Sequence, residues 1–357
     1  MLALALLSRP GLLQIMYCCG MDKPPRRKRY AGTHPRRFEE RYKELEAARF
    51  PEQAAKIRAQ GRTPAGTHVP VMLSEVIAAL EPHDWQTFLD CTLGYGGHTE
   101  AMAPRVARTI ALDIDAEEQA RTVARLKARG LEISAHHANF AGIAKVLKAE
   151  NLQCVDLLLA DLGVSSMQLD RSERGFSYKN SGPLDMRMDR SRGQTAAQLL
   201  AALSEKEIAK MLRELGDEPQ AEKIAAALKA EPPQSANDLT VLVLRTKGMA
   251  PRHRQKSAAE THPAARVFQA LRMAVNRETE NLEALLRNLP YVLNGGGRAA
   301  IITFHSGEEN RVREALVAGL AAELYEKGDT QGVTPSRDEI YNNPRARSAR
   351  LFWVQRK

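Results

Sequence analysis

From about residue 70 onward, short apolar runs alternate with amphipathic helical stretches, and this alternation constrains the fold more than any other feature of the chain. Buried strands separated by helices are what a parallel sheet with crossover helices requires. TFLDC (Thr87–Cys91) reads as the first strand, TIALD (Thr109–Asp113) as the second and Ile133–His137 as the third. A charged-faced helix over Glu117–Arg129 joins the last two. VDLLLAD (Val155–Asp161) is the fourth strand, continuous and apolar as a strand covered on both faces must be. RAAIITF (Arg298–Phe304), introduced by Asn294-Gly295-Gly296-Gly297, is the fifth, and Ala349–Gln355 is a final strand.

A long segment separates the fourth strand from the fifth. Its last part, Ala264–Leu293, reads as one long helix that supplies the crossover. From about Arg190 to Glu260 the pattern is helical, with runs at Ala196–Leu203, Glu205–Leu215, Ala221–Lys229 and Ala236–Arg245. A helical domain inserted into the connectivity of the sheet is therefore expected. Its tail, RTKGMAPRHRQK (Arg245–Lys256), carries five Lys and Arg and no acid, which makes it a candidate phosphate-contacting loop.

The formal net charge of +9 lies almost wholly ahead of this pattern. Residues 1–66 hold 14 basic and 6 acidic side chains, which leaves the rest of the chain close to neutral. A basic arm on a neutral body suits either a polyanionic partner or a solvated tail. Cys18, Cys19, Cys91 and Cys154 form no CxxC pair and no His/Cys cluster, which argues for a reducing compartment and against structural zinc or a disulfide framework. The opening MLALALLSRPGLLQIMYCC lacks a positive charge ahead of its apolar run and is interrupted by Arg9-Pro10, so it does not read as a secretion signal. Met21, just before DKPPRRKRY, is the expected start of translation, and a cytoplasmic protein is expected. The apolar leader is too short to span a bilayer and nothing else in the chain approaches a membrane span.

The first strand runs into DCTLGYGGHT (Asp90–Thr99), a glycine loop of the kind that lets a ligand touch backbone. A triphosphate loop needs a Gly-Lys-Ser/Thr ending, and here the ending is Gly97-His98-Thr99. A dinucleotide fingerprint begins with Gly94-x-Gly96, but Thr99 stands where its third glycine belongs. An S-adenosylmethionine loop has an acid followed by x-G-x-G-x-G; Asp90 supplies the acid and Thr92 replaces the first glycine. An acid there suits a ligand with a cationic amino group and would repel a pyrophosphate. Asp113, at the end of the second strand, can accept hydrogen bonds from ribose hydroxyls and serves a dinucleotide equally well. The fourth strand ends at Asp161 and continues as DLGVSSMQLD, which should border the pocket outside the carboxyl ends of the strands.

From His68 onward the sequence resembles the ribosomal RNA small subunit methyltransferase H family. The resemblance rests on HVPVMLSEV (His68–Val76), DCTLGYGGHT, DLGVSSMQLD (Asp161–Asp170), RGFSY (Arg174–Tyr178), GPLDMRMD (Gly182–Asp189), HPAARVFQALRMAVN (His262–Asn276), ITFHS (Ile302–Ser306) and NPRARSARL (Asn343–Leu351). It departs from the family pattern at Met167, where proline is usual, and at Gly307-Glu308-Glu309, where Leu-Glu-Asp is usual. The resemblance implies a class I S-adenosylmethionine-dependent methyltransferase, Rossmann-like with a mostly parallel sheet and an inserted all-helical domain. The expected domain plan is a basic, largely disordered arm over 1–66, a methyltransferase domain over 67–180 and 262–357, and a helical substrate-recognition domain over 181–261. The implied activity is transfer of a methyl group to N4 of a cytidine in the decoding region of small-subunit (16S) rRNA, with the rRNA or the small subunit as partner, no membrane, and a homodimer left open. Carried over position by position, the cofactor contacts are Gly96, Gly97, His98, Asp113, Phe140, Asp161 and Gln168. No metal is implied.

The amine of cytosine is a poor nucleophile, so a carboxylate that accepts its N–H bonds and then its proton would help. Asp161 is placed to do this, and Asp185 and Asp189 are further candidates, unless they form a loop-stabilising network with Arg187. The base must leave its stack, and Phe176 or Tyr178 could then hold it by stacking. Arg187 and His305 complete the expected substrate contacts; His305 should line the cleft at the end of the fifth strand, with no assigned chemistry. The competing expectations are a non-catalytic rRNA-binding assembly factor and a methyltransferase acting on another RNA.

Overall fold

The computed structural model describes residues 70–179, 181–250 and 262–357. The basic arm, the leader and most of the basic stretch after Arg245 lie outside the described residues. Helix α1 (Leu73–Leu80) leads into β1 (Thr87–Asp90), and a short helix, α2 (Gly97–Met102), follows the glycine loop. Then come β2 (Arg108–Asp113), α3 (Ala116–Lys127), β3 (Ser134–His137), α4 (Ile143–Ala149) and β4 (Val155–Asp161). Helix α3 begins where Asp115 accepts the Glu118 N–H, with acids in its first turn and bases in its last, the charge order a helix dipole favours.

After the short helix α5 (Ser166–Asp170), four helices succeed one another: α6 (Ala196–Ala202), α7 (Glu205–Gly216), α8 (Ala221–Ala230) and α9 (Ala236–Thr246). Three of them start at capping boxes, Thr195 with Gln198, Ser204 with Glu207 and Ser235 with Asp238, which satisfy the free N–H groups of the first turn. The single helix expected over Ala264–Leu293 is two helices, α10 (Ala265–Asn276) and α11 (Glu278–Val292). The break is at Arg277, whose φ is +51°. Asn276 is drawn aside there, donating to Met186 O and accepting from Met188 N–H. Helix α10 belongs to the apolar core shared by α6–α9, whereas α11 packs on the sheet through Leu282, Leu285, Leu286 and Leu289.

The chain closes with β5 (Leu293–Thr303), α12 (Ser306–Ala321), β6 (Tyr325–Val333), α13 (Arg337–Asn342) and β7 (Arg350–Arg356). The seven strands lie in the order β3-β2-β1-β4-β5-β7-β6, parallel except that β7 runs antiparallel to both neighbours. This is the class I methyltransferase sheet. Strand β6 has no counterpart among the expected strands, because YEKGDTQGV is polar and glycine-broken, as suits an exposed edge. Winding reverses between β1 and β4, and at such a switch point the strand ends diverge and leave a crevice. Asp90, Asp113 and Asp161 all stand at carboxyl ends of strands bordering it.

Candidate active site

The glycine loop is held from beneath. Gly94 and Gly96 adopt φ of +46° and +65°, and a Cβ on Gly96 would lie 2.8 Å from Thr122 Cγ2. Glycine is therefore required for α3 to pack directly on the loop backbone. Thr122 Oγ1 donates to Gly94 O at 2.6 Å, and the Arg125 guanidinium donates to Tyr95 O while lying over the Tyr95 ring. Asp90, expected to meet a cationic ligand, is 1% exposed and spent on the loop itself. It accepts from Thr99 Oγ1 at 2.6 Å and from the Thr92 N–H at 3.0 Å, tying the loop's two ends together.

Asp113 joins the second strand to the same loop. Its Oδ2 accepts the Gly94 N–H at 2.7 Å and its Oδ1 the Asp115 N–H at 2.8 Å, each oxygen keeping acceptor capacity on the cleft side. Burial pushes its carboxyl up to about 6, against the pull of those two donors. Asp161 is likewise pushed up to about 6 by burial, with His98 opposing and Asp90 and Glu308 adding to the rise. One of its oxygens, Oδ2, lies 3.7 Å from His98 Nδ1; the other, Oδ1, is buried without a hydrogen-bond partner. Such an atom is costly unless something else completes it. His98 is anchored through Nε2 to Val71 O at 2.9 Å, and since a carbonyl only accepts, Nε2 carries the proton of that bond.

These residues meet in one cleft with a cavity volume of about 250 Å³. Gly96, Gly97, His98, Asp113, Phe140, Asp161, Gln168 and His305 all line it, so the expected cofactor contacts come together. Phe140 is half-buried after β3, where Asn139 accepts the Ala141 N–H and turns the chain. Gln168 is positioned by its capping box with Ser165 and by donation to Asp115 at 3.1 Å. The wall carries Asp113, Asp115, Glu118, Asp161, Glu278 and Glu308 against His98, His305, Arg311 and Arg345, an acidic balance that favours a cationic guest.

Four expected residues are elsewhere. Phe176 is 5% exposed in the core of the helical layer, with Arg174 over its ring, and cannot stack on a base. Tyr178 does not line the cleft: its ring is stacked on His262 at 4.3 Å and meets Phe268 edge-on. Asp185 and Arg187 form a two-pronged ion pair, Nε to Oδ1 at 2.7 Å and Nη2 to Oδ2 at 3.0 Å, and neither lines the cavity. Arg187 holds the Asp185 carboxyl below its usual range despite burial. The loop-stabilising network is what the structure contains, because an acid and an arginine two residues apart in a tight loop satisfy each other.

Two groups were missed. Arg174, 2% exposed, donates to Asp115 at 2.6 Å and to the carbonyls of Arg187 and Met188 at 3.0 and 2.9 Å. It thereby ties the GPLDMRMD loop to the end of β2; an arginine inside a motif was a signal, but its partner lies far off in sequence. The second is Glu308, which accepts the Phe304 N–H at 2.8 Å and faces Arg272, itself paired in two-pronged fashion with Glu278. Burial works to raise the Glu308 carboxyl, but His305, the Phe304 N–H and Arg272 together hold it low. His305 is the cap of α12, accepting the Glu308 N–H at Nδ1.

Residues 65–357 match the model of the MraW methylase family. A ribosomal RNA small subunit methyltransferase H 1 of Lachnoclostridium phytofermentans is 39% identical over 92% of this chain and 92% of its own length. A ribosomal RNA small subunit methyltransferase H of Sorangium cellulosum is 42% identical over 81% of this chain and 90% of its own. The first of these alignments reaches ahead of residue 65 into the basic segment, and the second does not need to. The chain belongs to the MraW methylase family.

Proposed function

We propose that this protein transfers a methyl group from S-adenosylmethionine to N4 of a cytidine in the decoding region of small-subunit rRNA. The curated relatives are named as small-subunit rRNA methyltransferases. The observation that carries the chemistry is Asp161, at the end of β4, with one buried oxygen lacking a partner in an acidic cleft. The residues fit the cofactor: Asp113 keeps acceptor capacity for a ribose, Phe140 offers a ring face for an adenine, and the acidic wall suits cationic sulfonium and ammonium groups. When bound, S-adenosylmethionine supplies an activated methyl group.

The chain's own work is alignment and proton handling. Asp161 Oδ1 accepts one N–H of the exocyclic amine, drawing its lone pair out of conjugation and toward the methyl donor. As the new C–N bond forms, the amine's surplus proton passes to the same carboxylate, which a pKa of about 6 suits to receive and release it near neutrality. His98, its ring fixed by Val71 O, places Nδ1 3.7 Å from the other oxygen. A cytoplasmic location follows from an rRNA substrate, and among the described residues no helix is long and apolar enough to cross a membrane. Mass spectrometry of small-subunit rRNA from a strain lacking the gene tests the proposal. N4-methylcytidine in the decoding region should vanish and return with the gene; its persistence would refute the assignment.

A further inference from the structure

Resting on the cytidine N4 reading above, we infer that His305 is the specificity-determining partner of Asp161, and that the two side chains read the amino-imine edge of the base. Both line the same cleft, at the carboxyl ends of neighbouring strands: Asp161 is in register with Ile302, and His305 follows shortly after. Each presents a buried polar atom without a hydrogen-bond partner, Asp161 Oδ1 and His305 Nε2.

The two atoms have opposite character. Nδ1 of His305 accepts the Glu308 N–H at the start of α12, which assigns the ring proton to Nε2. Glu308 Oε1 lies 3.2 Å from Nε2, an ion-pair contact that does not complete the N–H as a hydrogen bond. The cleft wall therefore offers an acceptor on Asp161 and a donor on His305. Cytosine presents the complement, a donating N4–H beside an accepting N3. Uracil presents the reverse, an accepting O4 beside a donating N3–H, and guanine does the same at O6 and N1. Adenine shares cytosine's pattern, so the pair selects an amino base and the rest of the site selects among amino bases. A mismatched base would leave both buried groups unpaired, the arrangement that gives the strongest discrimination.

The test is methylation of reconstituted small subunits carrying cytidine or 3-deazacytidine at the modified position. 3-Deazacytidine keeps the amine and lacks the N3 acceptor. The wild-type enzyme should lose on the order of 10–100-fold in kcat/KM on the analogue. His305→Asn keeps a side-chain acceptor for the α12 cap but has no Nε2–H. It should lose a similar factor on cytidine and little more on 3-deazacytidine, with S-adenosylmethionine affinity unchanged and the circular-dichroism spectrum of a folded protein retained. Taking the ratio of ratios cancels any difference in intrinsic amine reactivity. Equal wild-type rates on the two substrates, or an undiminished analogue penalty in His305→Asn, would overturn the inference. A wild-type enzyme inert on cytidine itself would overturn the proposed function, and this inference with it.

Discussion

Replacing Arg174 with methionine removes a buried cation while keeping most of its volume. In the folded protein this guanidinium answers the Asp115 carboxylate and the carbonyls of Arg187 and Met188. After the change Asp115 keeps the Gln168 amide and the Glu118 N–H, but its charge is left buried and uncompensated. Breaking one side of such a pair costs about 3–5 kcal/mol, more than the pair's net contribution, because the remaining charge cannot reach water. For a protein of this size that corresponds to a fall in melting temperature of roughly 4–8 °C. Urea denaturation followed by circular dichroism measures it. Adding Asp115→Asn, which retains the α3 cap acceptor and removes the stranded charge, should recover about 1–2 kcal/mol. A single variant that melts within about 2 °C of wild type would refute the clamp, as would a double variant less stable than the single by the full cost of both.

Other consequences follow from the cleft. With the Asp113 and Asp161 carboxyls both raised to about 6, the folded protein holds protons that the unfolded chain has released, so these groups favour folding below about pH 4 and lose that contribution as pH rises through 6. Stability of the free enzyme between pH 4 and 7 should thus slope downward from these two groups, and Asp113→Asn should flatten the slope in denaturant titrations. In the opposite sense, methyl transfer under single-turnover conditions should rise with pH through about 6, as Asp161 ionises. Gly96→Ala should cost about 1–3 kcal/mol, because φ is +65° and the new methyl would press on Thr122 and Leu126; calorimetry would record it as a lowered melting temperature. Asp185→Asn, which weakens the grip on Arg187, should lower stability by about 1–2 kcal/mol and leave the single-turnover rate within a few-fold of wild type.

Much of this is legible in the sequence. Val155–Asp161 is a strand over the expected span, and the helices from Ala196 to Thr246 lie within a residue or so of their sequence limits, since caps and amphipathic periods are local signals. Strand β6 was invisible because an edge strand needs no apolar face. The break at Arg277 was hidden because nothing local demands it; the loop at Met186–Met188, distant in sequence, captures Asn276. At the site, position followed from topology: a residue at the carboxyl end of a central strand lines the crevice whatever its neighbours, so Asp113, Asp161 and His305 were identifiable. Side-chain direction was not. Asp90 turns into its own loop, Phe176 into the helical core and Asp185 toward Arg187, each because a partner nearby satisfies it better than a ligand would.

The most direct measurement of the central claim is single-turnover methyl transfer by Asp161→Asn, set beside its affinity for S-adenosylmethionine. Asparagine keeps the size of the side chain and an oxygen able to accept an amine N–H, but it cannot take the proton. Cofactor binding within about threefold of wild type, together with a rate lowered by about 10²–10⁴, is the predicted result. A variant that binds the cofactor and transfers its methyl group at the wild-type rate would contradict the assignment of Asp161 as the proton acceptor.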